Sequence, residues 1–227
     1  MLPNINSKKP MDTSSVTDTN SSSSKGKVET EKQTKASTPT PKLQEPTPIE
    51  QRKRNYKELL DGNKHEKAAK QIQDDYGLGT KTDHFDVVKK FKKKSTNATT
   101  SGGFHPETRE GRKDVSVTVS KKAMDNSSYE KQVRRQIHED THAHQRSDKS
   151  FMKKSSKAER EFYAYTNELK PMDDVPVLSK KEMKGVKRKA EDNYSQIPKK
   201  RRKELEPRHD AMNSGDWSGV PKSPYRD

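Results

Sequence analysis

The sequence predicts a small α+β domain, a short antiparallel sheet with helices around it, set between long basic tails without fixed structure. Three observations predict it. Apolar residues make up 24% of the 227 residues and the net charge is +15, too little apolar surface for one large globule, so about half of the chain is expected to stay unfolded alone. One segment, "KDVSVTVS", alternates β-branched and polar residues as a half-buried strand does. Several stretches place a Ser or Thr three residues ahead of a Glu at the head of an apolar stripe, the spacing at which two side chains satisfy each other's free backbone amides at a helix start.

Residues 1–46 are a Ser/Thr/Lys/Pro mixture almost free of aliphatics and read as a disordered tail. The domain is expected over 47–178. In "TPIE", Thr47 can cap a helix, Pro48 suits its first position and Glu50 completes the box, so a helix runs through Leu60. Gly62 interrupts it, and "KHEKAAKQIQDDYGLG" predicts a second helix stopped at Gly77 and Gly79. "FDVVKKF" reads as a strand and "KKKSTNATTSGG" as a loop, while Val115, Val117 and Val119 mark the clearest strand. Ser127 and Glu130 open a helix in which Tyr129, Val133, Ile137 and Thr141 form one stripe. After the loop "RSDKSFMKKS", Ser156 and Glu159 open another, with Ala158, Phe162, Tyr165 and Leu169 at helical intervals and Pro171 at its end. Residues 179–227, Lys/Arg-rich and irregular, are expected to form a second, mostly disordered tail.

Cysteine is absent, which removes disulfides, thiolate zinc fingers and cysteine nucleophiles, so a transition-metal site here must use histidine and carboxylate. No run approaches the roughly 20 apolar residues of a membrane span, and the N-terminus lacks the apolar core of a classical secretory signal. The domain is expected to be monomeric, and its positive charge favours polyanions or acidic surfaces as partners.

The helix after the clear strand carries "QIHEDTHAHQ", with His138, Glu139 and His142 in the order HExxH. A spacing of four puts both imidazoles on one side of the helix, where both can reach one Zn²⁺ at about 2.0–2.1 Å. Glu139 then stands beside the metal, where it can serve as general base and acid while the ion stabilises hydroxide and polarises a scissile carbonyl. The competing view of the same residues is a fortuitous match on an exposed, charged helix.

A strand, a loop, the motif helix and a second capped helix in that order resemble the zincin metallopeptidases, specifically the gluzincin type with a glutamate third ligand. "EREFYAYTNELKPM" looks like the second helix of small metallopeptidase domains found in toxins, effectors and phage-repressor-cleaving proteins. The resemblance covers residues 80–175. It implies zinc as cofactor, a protein substrate, and Glu161 as third ligand with Ala164 three residues on; Glu159 and Glu168 are competing candidates. It also implies an edge strand that takes up extended substrate, here Val115 to Val119. Tyr163, Tyr165 or His209 would stabilise the oxyanion of the tetrahedral species. His144 is expected to be exposed, and His144 and Gln145 to form the fraying end of the helix.

In "KRKAEDNYSQIPKKRRK", Lys187 and Arg188 stand ten residues before Lys199, Lys200, Arg201, Arg202 and Lys203. This resembles a bipartite nuclear localisation signal, whose two basic clusters occupy separate acidic grooves of an import receptor across an extended linker. It implies a nuclear destination, in a host cell if the chain is a microbial effector lacking a classical signal peptide. The same cations, with "KKFKKKS" at 89–95, could hold phosphates without reading sequence, and a non-enzymatic basic protein that binds nucleic acid or an acidic partner is the contrasting class.

Overall fold

A computed structural model of the chain describes residues 45–93, 96–105 and 111–221. Residues 1–44 of the expected tail over 1–46, the last six residues and parts of two connecting loops lie outside the described residues.

The first helix, α1 (Pro48–Asp61), starts as its sequence requires: Thr47 accepts from the Glu50 amide and the Glu50 carboxylate accepts from the Thr47 amide at 2.8 Å. Helix α2 (His65–Asp75) follows and ends ahead of Gly77 and Gly79, both with positive φ. Three strands come next, β1 (His84–Val88), β2 (Ala98–Gly103) and β3 (Lys113–Ser120). They order as β1-β3-β2, with β1 parallel and β2 antiparallel to β3. The sheet is therefore mixed where an antiparallel one is expected. Its central strand is β3, buried at Val115, Val117 and Val119.

Strand β2 occupies part of the stretch whose Ser/Thr/Gly composition reads as loop. Its pairing with β3 and its cover by the motif helix supply what its own side chains do not. Two glycines end it. Gly102 and Gly103 have φ near +76° and +71°; a Cβ would meet the Asp114 carbonyl oxygen at 1.7 Å in one case and Arg146 at 2.5 Å in the other.

After the short α3 (Lys121–Asp125), helix α4 (Tyr129–Ser147) crosses the sheet. Its cap is Ser128, one residue later than expected, whose hydroxyl accepts from the Lys131 amide, while Glu130 pairs with Lys53 at 2.6 Å. The stripe Tyr129, Val133, Ile137 and Thr141 is buried as expected. It packs with Tyr56, Ile72 and the β3 valines into a first core. Part of the loop that follows is helical, α5 (Lys149–Lys154), capped by Asp148. Helix α6 (Lys157–Leu169) is capped by Ser156 as expected.

The largest departure lies beyond residue 179. The expected disordered tail forms two helices, α7 (Lys180–Gln196), with its own Ser179–Glu182 capping box, and α8 (Lys199–Ser214). They order because a few large residues are enough: Phe162 of α6, Ala190, Ile197, Leu205 and Met212 form a second core. Polar links add to it. Arg201 reaches Glu159 at 2.5 Å, and buried Arg208 bonds Asn167 at 2.8 Å, which in turn donates to Thr141 on α4 at 3.1 Å. None of the described helices is long and apolar enough to cross a membrane.

Candidate metal centre

Helix α4 turns its stripe to the first core and presents His138 and His142 on the opposite side, toward α6, whose Phe162 side is in the second core. The two ligand-bearing helices are pinned together by Asn167 to Thr141 and by Gln145, whose amide donates to the Arg160 carbonyl at 3.1 Å. Glu161 thereby comes opposite the histidines.

The Nε2 atoms of His138 and His142 lie 3.2 Å apart, and the Glu161 carboxylate faces both, with Oε2 3.6 Å from His138 and Oε1 3.6 Å from His142, so the ligand atoms of the three residues lie within 4.8 Å of one another. A tetrahedral ion bound at 2.0–2.1 Å needs ligand atoms about 3.3–3.4 Å apart, a spacing the imidazole pair already has. The tautomers also fit. His142 Nδ1 faces Gln145 Oε1 at 2.9 Å, an acceptor, so this nitrogen carries the proton and Nε2 keeps its lone pair. His138 Nδ1 lies 2.7 Å from Glu168 Oε1, at an angle that leaves the carboxylate an ion-pair partner more than an aligned acceptor. Two imidazole nitrogens 3.2 Å apart beside a carboxylate need a proton or a cation between them.

The electrostatics bear the same sign. Burial opposes a charge on His138, yet Glu161 and Glu168 outweigh it and hold the pKa up at about 10. Burial would also raise Glu161, but its contacts with His138 and His142 bring it well below the usual carboxylate range.

Of the competing acids, Glu159 is spent on Arg201 and is fully buried away from the histidines, whereas Glu168 stands behind His138 as an orienting group. Glu139 is buried, and its carboxylate accepts from Thr100 of β2 at 2.7 Å. Tyr165 packs its ring 4.6 Å from that of His138. Neither Tyr163, stacked by Phe151 and Arg208, nor His209, stacked on Tyr194 and held by Glu191 at 2.9 Å, lines this site; of the three oxyanion candidates only Tyr165 does.

Two expectations about the motif's end change. Gln145 is fully buried and holds His142, so the helix does not fray there; His144 is half-buried near Asp140 and Thr80. Asp140 accepts from the Gly79 amide at 2.7 Å and ties α2's end to the motif helix. Sequence signals for the missed residues exist: Gln145 is three residues after His142, and Glu168 is two turns after Glu161, each on its partner's face.

The site opens into a cleft of about 1420 Å³, walled by α4 and α6, by β2 at Ala98 to Thr100 and by α7. The strand beside the site is thus β2, not β3, which is central and has no free edge. The Ser120 amide bonds the Asn97 carbonyl at 2.9 Å, which sets the ladder so that Asn97, Thr99 and Ser101 point their backbone groups at β3. The amide and carbonyl of Ala98 and Thr100 face outward, and among the described residues no strand pairs with them.

The basic clusters lie on α7 and α8. The linker between them is helical and then buried at Ile197, where an extended chain is expected, and Arg201 is engaged by Glu159 and Glu204. Arg188, Lys199, Lys200 and Lys203 are exposed. No protein-family model, curated protein or solved structure matches the chain.

Proposed function

We propose that the chain is a zinc-dependent metallopeptidase of gluzincin-like type that hydrolyses peptide bonds in a protein substrate. The observation that carries this reading is the convergence of His138, His142 and Glu161, whose ligand atoms all lie within 4.8 Å of one another, with Glu139 next to His138 in the chain and facing the same cleft. His138, His142 and Glu161 would hold the ion and leave its fourth position toward the cleft. A bound zinc ion would polarise the scissile carbonyl and acidify the attacking water. Glu139 takes a proton from that water as its oxygen bonds to the carbonyl carbon, then gives it to the amine nitrogen as the C–N bond breaks, so the carboxylate is regenerated. Thr100 holds Glu139 by one oxygen and leaves the other for this transfer. The outward amide and carbonyl of Ala98 and Thr100 can hold the substrate backbone as an added strand. The Tyr165 hydroxyl stands on the same wall to donate to the developing oxyanion.

The exposed cations of α7 and α8 are proposed to bring the enzyme to a nucleus, including that of a host cell, through an import receptor, with non-specific contact to nucleic acid as a second use. Because the linker is helical, the receptor would take the 199–203 cluster from a partly unwound α8.

Zinc content and hydrolysis of an unstructured protein test the reading. Wild type is expected to carry one zinc per chain, His142→Ala to carry none, and Glu139→Gln to keep its zinc while kcat/KM falls by about 10³-fold or more. A wild-type protein that takes up no zinc at submicromolar free metal would overturn it and leave the basic binding protein as the better account.

A further inference from the structure

The cleft is strongly cationic once the metal site is set aside. Nine Lys and Arg line it among the described residues, against five Glu. Three of those acids are Glu139, Glu161 and Glu168. The other two are committed elsewhere, Glu130 to Lys53 and Glu182 to the cap of α7.

The cations are also placed in order. Arg135 and Arg146 are eleven residues apart on α4, about three turns and roughly 16 Å, on the face that carries Glu139 and His142 between them. That distance equals about five residues of extended chain. Arg160, beside Glu161, stands near Arg146, and the exposed Arg188 and the lysine Lys189, whose ammonium lies 5.3 Å from the Tyr165 ring, line the opposite wall on α7.

Arg135, Arg146 and Arg160 are half-buried, yet the bonds they make run to neutral acceptors: Gln132 and Ser127, the Gly102 carbonyl, and Ser155. None is ion-paired among the described residues. Burial lowers the pKa of all three. These half-buried guanidiniums feel the site's carboxylates only across space, with no direct ion pair, and at both ends of the row they leave a place for anions supplied by a ligand.

We propose that the cleft takes an extended polypeptide with acidic side chains two or three residues to either side of the scissile bond, one carboxylate held by Arg146 and Arg160, the other by Arg135. This rests on the peptidase reading and names its substrate class. A peptide fits better than a nucleic acid, because the outward backbone groups of Ala98 and Thr100 pair with a peptide, and among the described lining residues Tyr165 is the one aromatic besides His138 and His142, too few for a stacking platform.

The test uses the full-length, zinc-loaded Glu139→Gln variant and fluorescent peptides that carry Asp and Glu at those positions, or Asn and Gln in their place, at physiological ionic strength. The acidic peptide is expected to bind about tenfold more tightly or better. Adding Arg146→Gln and Arg160→Gln should shrink that gap to about threefold, and the exposed Arg188→Gln, which leaves the fold intact, should shrink it by less. Equal binding of the two peptides, a gap that none of these variants reduces, or tighter binding of single-stranded DNA of equal charge would overturn the proposal. If the double variant does not fold, Arg188→Gln with Arg135→Gln decides. Cleavage by wild type without acidic preference defeats this inference alone; Arg-dependent acidic binding with no cleavage of any peptide defeats the peptidase reading and leaves the cleft's preference standing.

Discussion

The first core, on the sheet side, and the second, among α6, α7 and α8, differ in what builds them. The sheet side buries runs of aliphatics in strict order, Val115, Val117 and Val119 from the strand and Val133 and Ile137 from α4. The helical side has one large residue here and there on charged helices, Phe162, Ile197, Leu205 and Met212, and relies on polar pins between them. The candidate centre lies where the two meet, with two ligands from the helix of one and the third from a helix of the other. What this teaches is that the centre needs both: sparse packing together with polar pins sets the position of Glu161.

The largest test of that difference is Phe162→Ala. It should cost about 3–5 kcal/mol in chemical denaturation and weaken zinc binding, because α6 loses its anchor, whereas Ile137→Val should cost about 0.5–1.5 kcal/mol and leave zinc affinity nearly unchanged. A loss below about 1 kcal/mol for Phe162→Ala would mean that the helical core contributes little.

Next comes the metal itself. If zinc joins the two regions, a hundredfold excess over Kd should stabilise the fold by about 2.7 kcal/mol, seen as a rise in Tm that chelator abolishes and Glu161→Ala never shows. Gln145→Ala should lower zinc affinity by about 10–100-fold, since it frees the His142 ring and removes one of the two bonds that pin α4 to α6. Glu168→Gln should act likewise at His138.

Acid should weaken the junction. Without metal, Glu161 and Glu168 hold the His138 pKa up at about 10, so zinc binding there must displace a proton. Affinity is therefore expected to rise about tenfold per pH unit between pH 7 and 9, with about one proton released per zinc bound, measurable by calorimetry in buffers of different ionisation enthalpy. The smallest effect belongs to Lys199→Ala with Lys200→Ala: both are exposed, so stability should stay within about 0.5 kcal/mol while nuclear accumulation of a fluorescent fusion falls. Unchanged accumulation would reject the targeting role.

The two regions were also unequally legible. The Thr47 box, the β3 alternation, the α4 stripe and the HExxH spacing each rest on neighbours within a few residues, and each stands where the pattern puts it. Strand β2 was hidden because Ser, Thr and Gly carry no strand signal, and its order comes from β3 and α4. Helices α7 and α8 were hidden because their apolar residues are too far apart to make a stripe, and only contact with α6 gives them something to bury.

Within the site the same division holds. His138, Glu139 and His142 lie within five residues on one helix, and α-helical geometry alone aims them together. Which of three glutamates faces both histidines depended on the rotation of α6 against α4, which the Gln145, Asn167 and Arg208 bonds set, and on Arg201, from a distant helix, claiming Glu159. The sequence by itself determined the elements whose residues interact at helical or strand spacing, including the two histidines and Glu139. Only the tertiary structure decided which glutamate faces the histidines, the free edge and the cationic cleft, because each joins residues that the chain separates and that only packing brings within reach.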